Sequence, residues 1–375
     1  MRSQQVSAVD NGRGSREPGP AGSGVTPLPP LVWVRLQSRE RLQRKLRISL
    51  TDRCNFACFF CHNEGQGPIQ RVSRSALGAD ELQAVVRVAL AEGVTKVKLT
   101  GGEPLLFRSG PDDVVSVVRK LAALRAEARV FDLSMTTNGS LLPDYAEPLA
   151  SAGLDRVTMS LTTLDHASFD TLISSSRRLL DRTLAGLRSA RRAGLTPLKI
   201  NAVLYHSHQA GLGNLTEIRD LYEVAVQHGV DELRFFTLLW HEAFARFDEF
   251  YHFFSPEMRA ALESLLRHCR LVSPGEVVEI LSALALRFAH RVYPKIEFGL
   301  VLDQLRLGFE AMKYGRLPGD AGLQEGPYAM RLSADGALRA TLNGPPSYEL
   351  IRGVRQGRPF SELRSRYRAA LEAMP

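Results

Sequence analysis

From about residue 44 the chain alternates short runs of apolar and polar positions in a period of two with longer runs whose apolar positions recur every three or four residues. The first pattern marks strands, whose side chains point alternately to opposite faces; the second marks helices. Strands are predicted at 45–51, 94–100, 129–136, 155–161, 197–204 and 231–238, with helices near 79–92, 112–127, 143–152, 178–193 and 214–228. Gly93, Gly153, Gly194 and Gly229 stand where four of those helices stop, in keeping with glycine as the usual C-terminal cap. Strands separated by helices of this length imply βα units and a parallel sheet. Six such units predict an α/β fold of the barrel kind.

The strand pattern carries a second message. Ile48 and Leu50 share one face of the first run, and Arg47, Ser49 and Thr51 share the other. Val97 and Leu99 oppose Lys96, Lys98 and Thr100, while Phe131, Leu133 and Met135 oppose Asp132, Ser134 and Thr136. Val157, Met159 and Leu161 oppose Thr158 and Ser160; Leu198, Ile200 and Ala202 oppose Lys199 and Asn201. Helices must cover the apolar face, so the polar face looks inward. A closed eight-stranded barrel fills its interior with branched apolar side chains, and unpaired charge there would be costly. The polar lining therefore predicts a ligand-filled cavity, and the positive sign of Arg47, Lys98 and Lys199 predicts an anionic ligand.

Composition narrows the partners. With 44% hydrophobic and 23% charged residues the chain is ordinary for a globular protein, and no stretch approaches the length a membrane span needs. The net charge of +8 favours anions in general. Basic residues such as Arg188, Arg191 and Arg192 nevertheless lie along helices, and no nucleic-acid-binding motif is present. Residues 1–30 are rich in Gly, Ser, Pro and Arg and are expected to be a disordered tail. The few cysteines and the lack of a secretory signal predict a reducing, cytoplasmic setting.

Three of the four cysteines fall in Thr-Asp-Arg-Cys-Asn-Phe-Ala-Cys-Phe-Phe-Cys-His, as Cys54, Cys58 and Cys61. Three thiolates can hold three corners of a [4Fe–4S] cluster, which normally takes four cysteines. The fourth iron is then open to a ligand that is not protein. The rival reading is a zinc site completed by His62, although adjacent Cys61 and His62 make an awkward tetrahedral bite. Just past the second strand, Thr100-Gly101-Gly102-Glu103-Pro104 offers a tight turn with backbone N–H groups and a carboxylate. Working residues of parallel α/β folds sit at such strand ends.

The sequence resembles the radical S-adenosylmethionine (radical SAM) superfamily, and within it the GTP cyclase that begins molybdenum-cofactor synthesis. The resemblance rests on residues 46–56, on Lys-Leu-Thr-Gly-Gly-Glu-Pro-Leu-Leu (98–106), on Thr-Thr-Asn-Gly (136–139) and on Ala-Gly-Leu-Asp-Arg-Val (152–157). Ser160-Leu161, Lys-Ile-Asn (199–201) and Leu-Arg-Phe (233–235) extend it. It implies a partial (βα)6 barrel over residues 31–240, followed by a smaller α+β extension over 241–375 that caps the substrate. It also implies that Cys54, Cys58 and Cys61 ligate one [4Fe–4S] cluster. S-adenosylmethionine would be bound by Phe60, Gly101, Gly102, Glu103, Asn138, Ser160, Arg234 and Leu239. Arg47, Lys96, Lys98, Thr136, Lys199 and Arg331 become candidate substrate contacts. The implied chemistry is cleavage of S-adenosylmethionine to a 5′-deoxyadenosyl radical that takes hydrogen from a small substrate. An electron donor such as flavodoxin or ferredoxin would be the partner; no nucleic-acid or membrane partner is implied.

The C-terminal part departs from the cyclase. Residues 328–342 read as a hairpin turning at Asp335-Gly336. The positions matching the cyclase's second-cluster cysteines are Gln324, Pro327 and Thr341, none of which binds iron in that way. Cys269 lies in a helical run and reads as a small buried residue. The expectation is therefore a single-cluster enzyme with a changed substrate, a nucleotide or phosphorylated sugar. A divergent GTP 3′,8-cyclase, a peptide-modifying enzyme and a non-catalytic metal-binding protein are the alternatives. The aromatic run Phe244, Phe247, Phe250, Tyr251, Phe253 and Phe254 reads as core or as substrate lining.

Overall fold

The computed structural model of the chain describes residues 33–35, 45–61, 77–127, 131–173, 178–207, 212–237, 260–261, 263–264, 295–302, 305–312, 329–339 and 345–372. Among these residues, one sheet holds eleven strands: β1 (Trp33–Arg35), β2 (Lys45–Ser49), β3 (Lys96–Thr100), β4 (Asp132–Thr137), β5 (Arg156–Ser160), β6 (Lys199–Leu204), β7 (Glu232–Thr237), β8 (Lys295–Leu302), β9 (Leu305–Met312), β10 (Met330–Leu332) and β11 (Leu338–Arg339). Its order is β1-β8-β9-β7-β6-β5-β4-β3-β2-β10-β11. β2 to β7 are the six strands expected from the period-two runs. They lie side by side in chain order and all parallel. The helices between them are α1 (Ala79–Ala91), α2 (Val114–Ala123), α3 (Leu142–Ser151), α4 (Leu179–Arg192) and α5 (Ile218–Gln227). The architecture is the α/β arrangement of a partial barrel.

Boundaries follow local chemistry. Helix α2 starts two residues later than the periodicity suggests because Asp113 caps it, accepting a hydrogen bond from the Ser116 N–H at 2.8 Å. Helix α5 likewise starts late. Asn214, fully buried, turns its side chain to the Tyr205 N–H and to the Thr162 and Val203 carbonyls. A 3₁₀ turn (Leu215–Glu217) then intervenes. The predicted stop signals Gly93, Gly153, Gly194 and Gly229 all take positive φ.

The two faces of the sheet differ as the pattern requires. Leu46, Ile48, Val97, Leu99, Leu133, Met135, Val157, Met159, Ile200 and Ala202 are wholly buried, in one apolar cluster with Leu82, Val86, Val117, Leu149 and Leu187 of the helices. Each such side chain contributes about 1.5–3 kcal/mol relative to exposure. The alternate positions Arg47, Lys98, Asp132, Thr136, Arg156, Lys199, Asn201 and Arg234 keep partial exposure.

Beyond residue 240 the chain returns to the same sheet from both ends. β9 pairs in parallel with β7, and β8 and β1 follow it antiparallel. β10 pairs in parallel with β2 and turns back into β11, the hairpin expected at Asp335-Gly336. The ribbon of β8 and β9 was not among the expected strands, although each is an eight-residue run separated from the other by two residues. Helices α6 (Glu349–Arg355) and α7 (Phe360–Glu372) pack on α1. Arg355 pairs with Glu81, and Arg364 and Arg368 both pair with Glu92. The arginines are about half exposed while Glu92 is nearly buried, and solvent around the arginines keeps the contribution of each pair modest. No helix among the described residues is long and apolar enough to cross a membrane.

Candidate active site

Strand β2 leads straight into the cysteine loop, and backbone contacts on both sides fix that loop. The Leu50 N–H donates to the Thr100 carbonyl (2.9 Å), and the Gly102 and Glu103 N–H groups donate to the Thr51 and Arg53 carbonyls at 2.7 Å. Further along, the Ala57 and Phe59 N–H groups donate to Ile173 (2.9 Å) and Leu172 (3.0 Å). Phe56 and Phe59 turn inward, Phe56 edge-on to Phe169 and Phe59 edge-on to both Phe60 and Tyr205. With the phenyl rings serving as anchors, Cys54, Cys58 and Cys61 stay partly exposed. The Cys61 N–H donates to the Cys58 carbonyl at 3.0 Å, closing a turn between these two cysteines.

Gly101 and Gly102 make that closure possible. A Cβ on Gly101, whose φ is +140°, would stand 2.4 Å from the Thr51 carbonyl oxygen. One on Gly102 would stand 2.1 Å from the Arg53 carbonyl oxygen. What approaches these two glycines is thus the main chain of the cysteine loop itself.

Glu103, also fully buried, is the keystone of the next layer. Its carboxylate accepts from the Thr137 hydroxyl (2.7 Å), the Asn138 N–H (2.8 Å) and the Leu105 N–H (3.1 Å). Burial pushes its pKa up to about 7 against the pull of those donors. The Asn138 side chain is equally engaged. Its Nδ2 donates to Asn55 Oδ1 (2.8 Å) and faces Cys54 Sγ at 3.9 Å, while its Oδ1 accepts from the Ser140 N–H (3.0 Å) and hydroxyl (2.8 Å). Asn55 closes the ring by donating to Ser140 Oγ at 2.9 Å. Replacing Asn138 by leucine leaves these buried partners unsatisfied and is expected to cost about 1–3 kcal/mol. A lower urea midpoint together with weaker iron retention would verify this; unchanged values of both would refute it.

The donor set suits iron held by thiolates. Cys54 Sγ receives the Phe56 N–H at 3.3 Å as well as the Asn138 amide, both suited to a thiolate. Burial first, then Glu103, pushes the metal-free Cys54 thiol up to about 12, and burial likewise raises Cys58. Binding of iron therefore has to release protons. Among the described residues no three His, Cys, Asp or Glu side chains converge as a site for a single ion. His62, the fourth ligand of the zinc reading, lies outside the described residues, as do Leu239, Cys269, Gln324, Pro327, Thr341 and the aromatic run 244–254.

Below the loop, strand register lines up the basic side chains. Arg331 of β10 is level with Arg47 of β2, and Arg47 is level with Lys98 of β3. One step higher, Thr158, Lys199 and Glu232 are level across β5, β6 and β7. Lys98 forms no hydrogen bond or ion pair among the described residues. Burial first, then Arg47, Arg156, Arg234 and Lys199, drive its pKa well below the usual lysine value. Lys96, by contrast, sits exposed at the entry of β3, level with Asp132, and does not join this cluster. Thr136 lies two residues beyond Ser134, the neighbour of Lys98, and Ser160 is exposed at the end of β5.

Two charged residues of this face escaped the sequence reading. Arg156 is paired with Asp132, with Nε at 2.8 Å from Oδ1. Glu232, 5% exposed, pairs with both Lys199 and Arg234. Carrying the period-two count back one position on β5 and onto β7 would have found both.

Residues 48–211 match the Radical SAM superfamily. Among curated proteins, the chain is 39% identical over 193 residues to one from Sulfurisphaera tokodaii named "Probable GTP 3',8-cyclase", covering 52% of this chain and 55% of that protein. A protein of the same name from Methanocella arvoryzae is 43% identical over 158 residues, 42% of this chain and 47% of the relative. The chain thus spans about half the length of the curated relatives it matches. In structure it is similar to Streptococcus suis SuiB bound to S-adenosylmethionine, with a TM-score of 0.52 and 18% identity over 86% of this chain and 68% of that one. That likeness is one of fold.

Proposed function

We propose that this chain, whose residues 48–211 form a radical SAM domain, is an enzyme with a single [4Fe–4S] cluster acting on a small anionic substrate. Cys54, Cys58 and Cys61 would hold the cluster. Gly101 and Gly102, with Phe60, Ser160 and Leu239, would surround S-adenosylmethionine. Together the two cofactors supply one-electron cleavage of a carbon–sulfur bond and a radical able to take hydrogen from an unactivated carbon. The chain's own residues supply position and charge. Glu103 and Asn138 spend their hydrogen-bonding capacity inside the protein, so they act by locking the cysteine loop against the ends of β3 and β4. A cytoplasmic setting and a small reductant protein as electron donor complete the reading.

Lys98 carries the substrate class. A half-buried ammonium with four cations around it, and no acid paired to it among the described residues, is costly unless an anion arrives. Thr158 Oγ1 and Asn201 Oδ1, buried on the same face without hydrogen-bond partners among the described residues, favour a polar ligand as well. Anaerobically reconstituted, reduced protein is expected to release 5′-deoxyadenosine from S-adenosylmethionine. Iron-loaded protein that releases none would sink the enzyme reading. Lys98→Met is expected to stabilise the fold by about 1–3 kcal/mol while weakening pyrophosphate binding about tenfold or more, checked by urea unfolding and titration calorimetry.

The names of the relatives favour a second reading, a GTP 3′,8-cyclase. Gln324, Pro327 and Thr341 speak for one cluster, and iron content separates the readings: about four atoms per chain for one cluster, about eight for two.

A further inference from the structure

The charges of the polar face are unevenly compensated. On β4 to β7 the cations have acids, Arg156 with Asp132 and both Lys199 and Arg234 with Glu232. Glu232 is forked between its partners, Oε2 accepting from Lys199 Nζ and Oε1 from Arg234 Nε. Register explains the fork. Glu232 is level with Lys199 on the neighbouring strand and two residues from Arg234 on the same face of its own strand. The two cations hold its carboxyl below the ordinary value despite burial, so it stays ionised. On β3, Lys98 has no such acid among the described residues.

We propose that Glu232 is a built-in counter-ion occupying the anion position between Lys199 and Arg234, so that a substrate's negative charge is confined to the Lys98 side of the face. The inference rests on the reading of this face as the substrate site. A second anion placed over Lys199 would meet the Glu232 charge at close range, and like charges in so buried a position repel strongly. Glu232 therefore sets the orientation of the substrate by exclusion, and Lys199 contacts a less charged part of it. In that role it is a positioning and specificity residue.

Pyrophosphate binding to the iron-reconstituted chain, followed by titration calorimetry, tests this. Wild-type protein is expected to bind one equivalent in a Lys98-dependent way. Glu232→Gln keeps the shape and removes the charge; it is expected to bind a second equivalent or to bind the first about tenfold more tightly. Glu232→Asp retains the charge and is expected to show no such gain, and adding Lys199→Met to Glu232→Gln is expected to abolish the gain. A merely structural glutamate would give loss of binding with loss of fold, never a gain; near-UV circular dichroism identifies a misfolded variant. Lys98-dependent binding that Glu232→Gln leaves unchanged or weakens overturns the counter-ion role alone. Binding that ignores Lys98→Met, or no binding to either wild type or Glu232→Gln, overturns the anionic reading of the face and the inference with it.

Discussion

Cys58→Ala is expected to leave a folded chain without its iron. The loop that carries Cys58 is held from both sides by main-chain bonds, Ala57 and Phe59 to the 172–173 segment, and these survive truncation of one thiol. Iron content should fall from about four atoms per chain to background, with loss of the broad absorption near ~400 nm. Release of 5′-deoxyadenosine should drop by about a thousandfold or more, roughly 4 kcal/mol of barrier. Two measurements check it, iron by chromogenic assay and nucleoside by chromatography. A variant that keeps both would remove Cys58 from the ligand set.

Gly102→Ala is expected to be strongly destabilising. The new Cβ would stand 2.1 Å from the oxygen and 2.5 Å from the carbon of the Arg53 carbonyl, and main chain cannot swing aside as a flexible side chain would. Relief requires parting the Gly102 N–H from Thr51 and the Glu103 N–H from Arg53. Losing both bonds with the accompanying strain is expected to cost about 3–5 kcal/mol. Urea unfolding of the metal-free chain gives the stability, and reconstitution gives the iron content, which should fall with it. A wild-type midpoint with full iron would show that the loop can close in another way.

The legible part of this fold is local. Strands β2 to β7 and the helices between them follow from periodicities that any short window contains, and the inward face of Arg47, Lys98 and Lys199 follows from counting by twos. What escaped is long-range or compensatory. The sequence near 330 reads as a hairpin, yet nothing within it says that it will lie beside β2. β8 and β9 sit in the sheet next to β7 for the same non-local reason. At the site, residue type and spacing pointed to cysteines and glycines, but the purpose of Gly101 and Gly102 became visible only with Thr51 and Arg53 in place. The resemblance makes Asn138 a cofactor contact, and in the structure its amide is also engaged by Asn55, Ser140 and Cys54. Spacing reveals which groups can do chemistry; it does not reveal which of them are already occupied by one another.

The pairing of β10 with β2 bears on the order of assembly. Among the described residues, Leu46, Arg47 and Ile48 gain their partner on that side from Met330, Arg331 and Leu332, so during synthesis the strand that carries the cysteine loop waits for residues 330–332 to leave the ribosome. Until then one edge of β2 stays open to stray pairing. Delivery of iron and sulfide before that moment would meet a loop whose supporting strand is unpaired on one side. Maturation is thereby tied to the synthesis of a distant segment, and a nascent chain stalled short of residue 330 should take up iron poorly although the three cysteines of the loop have long been made.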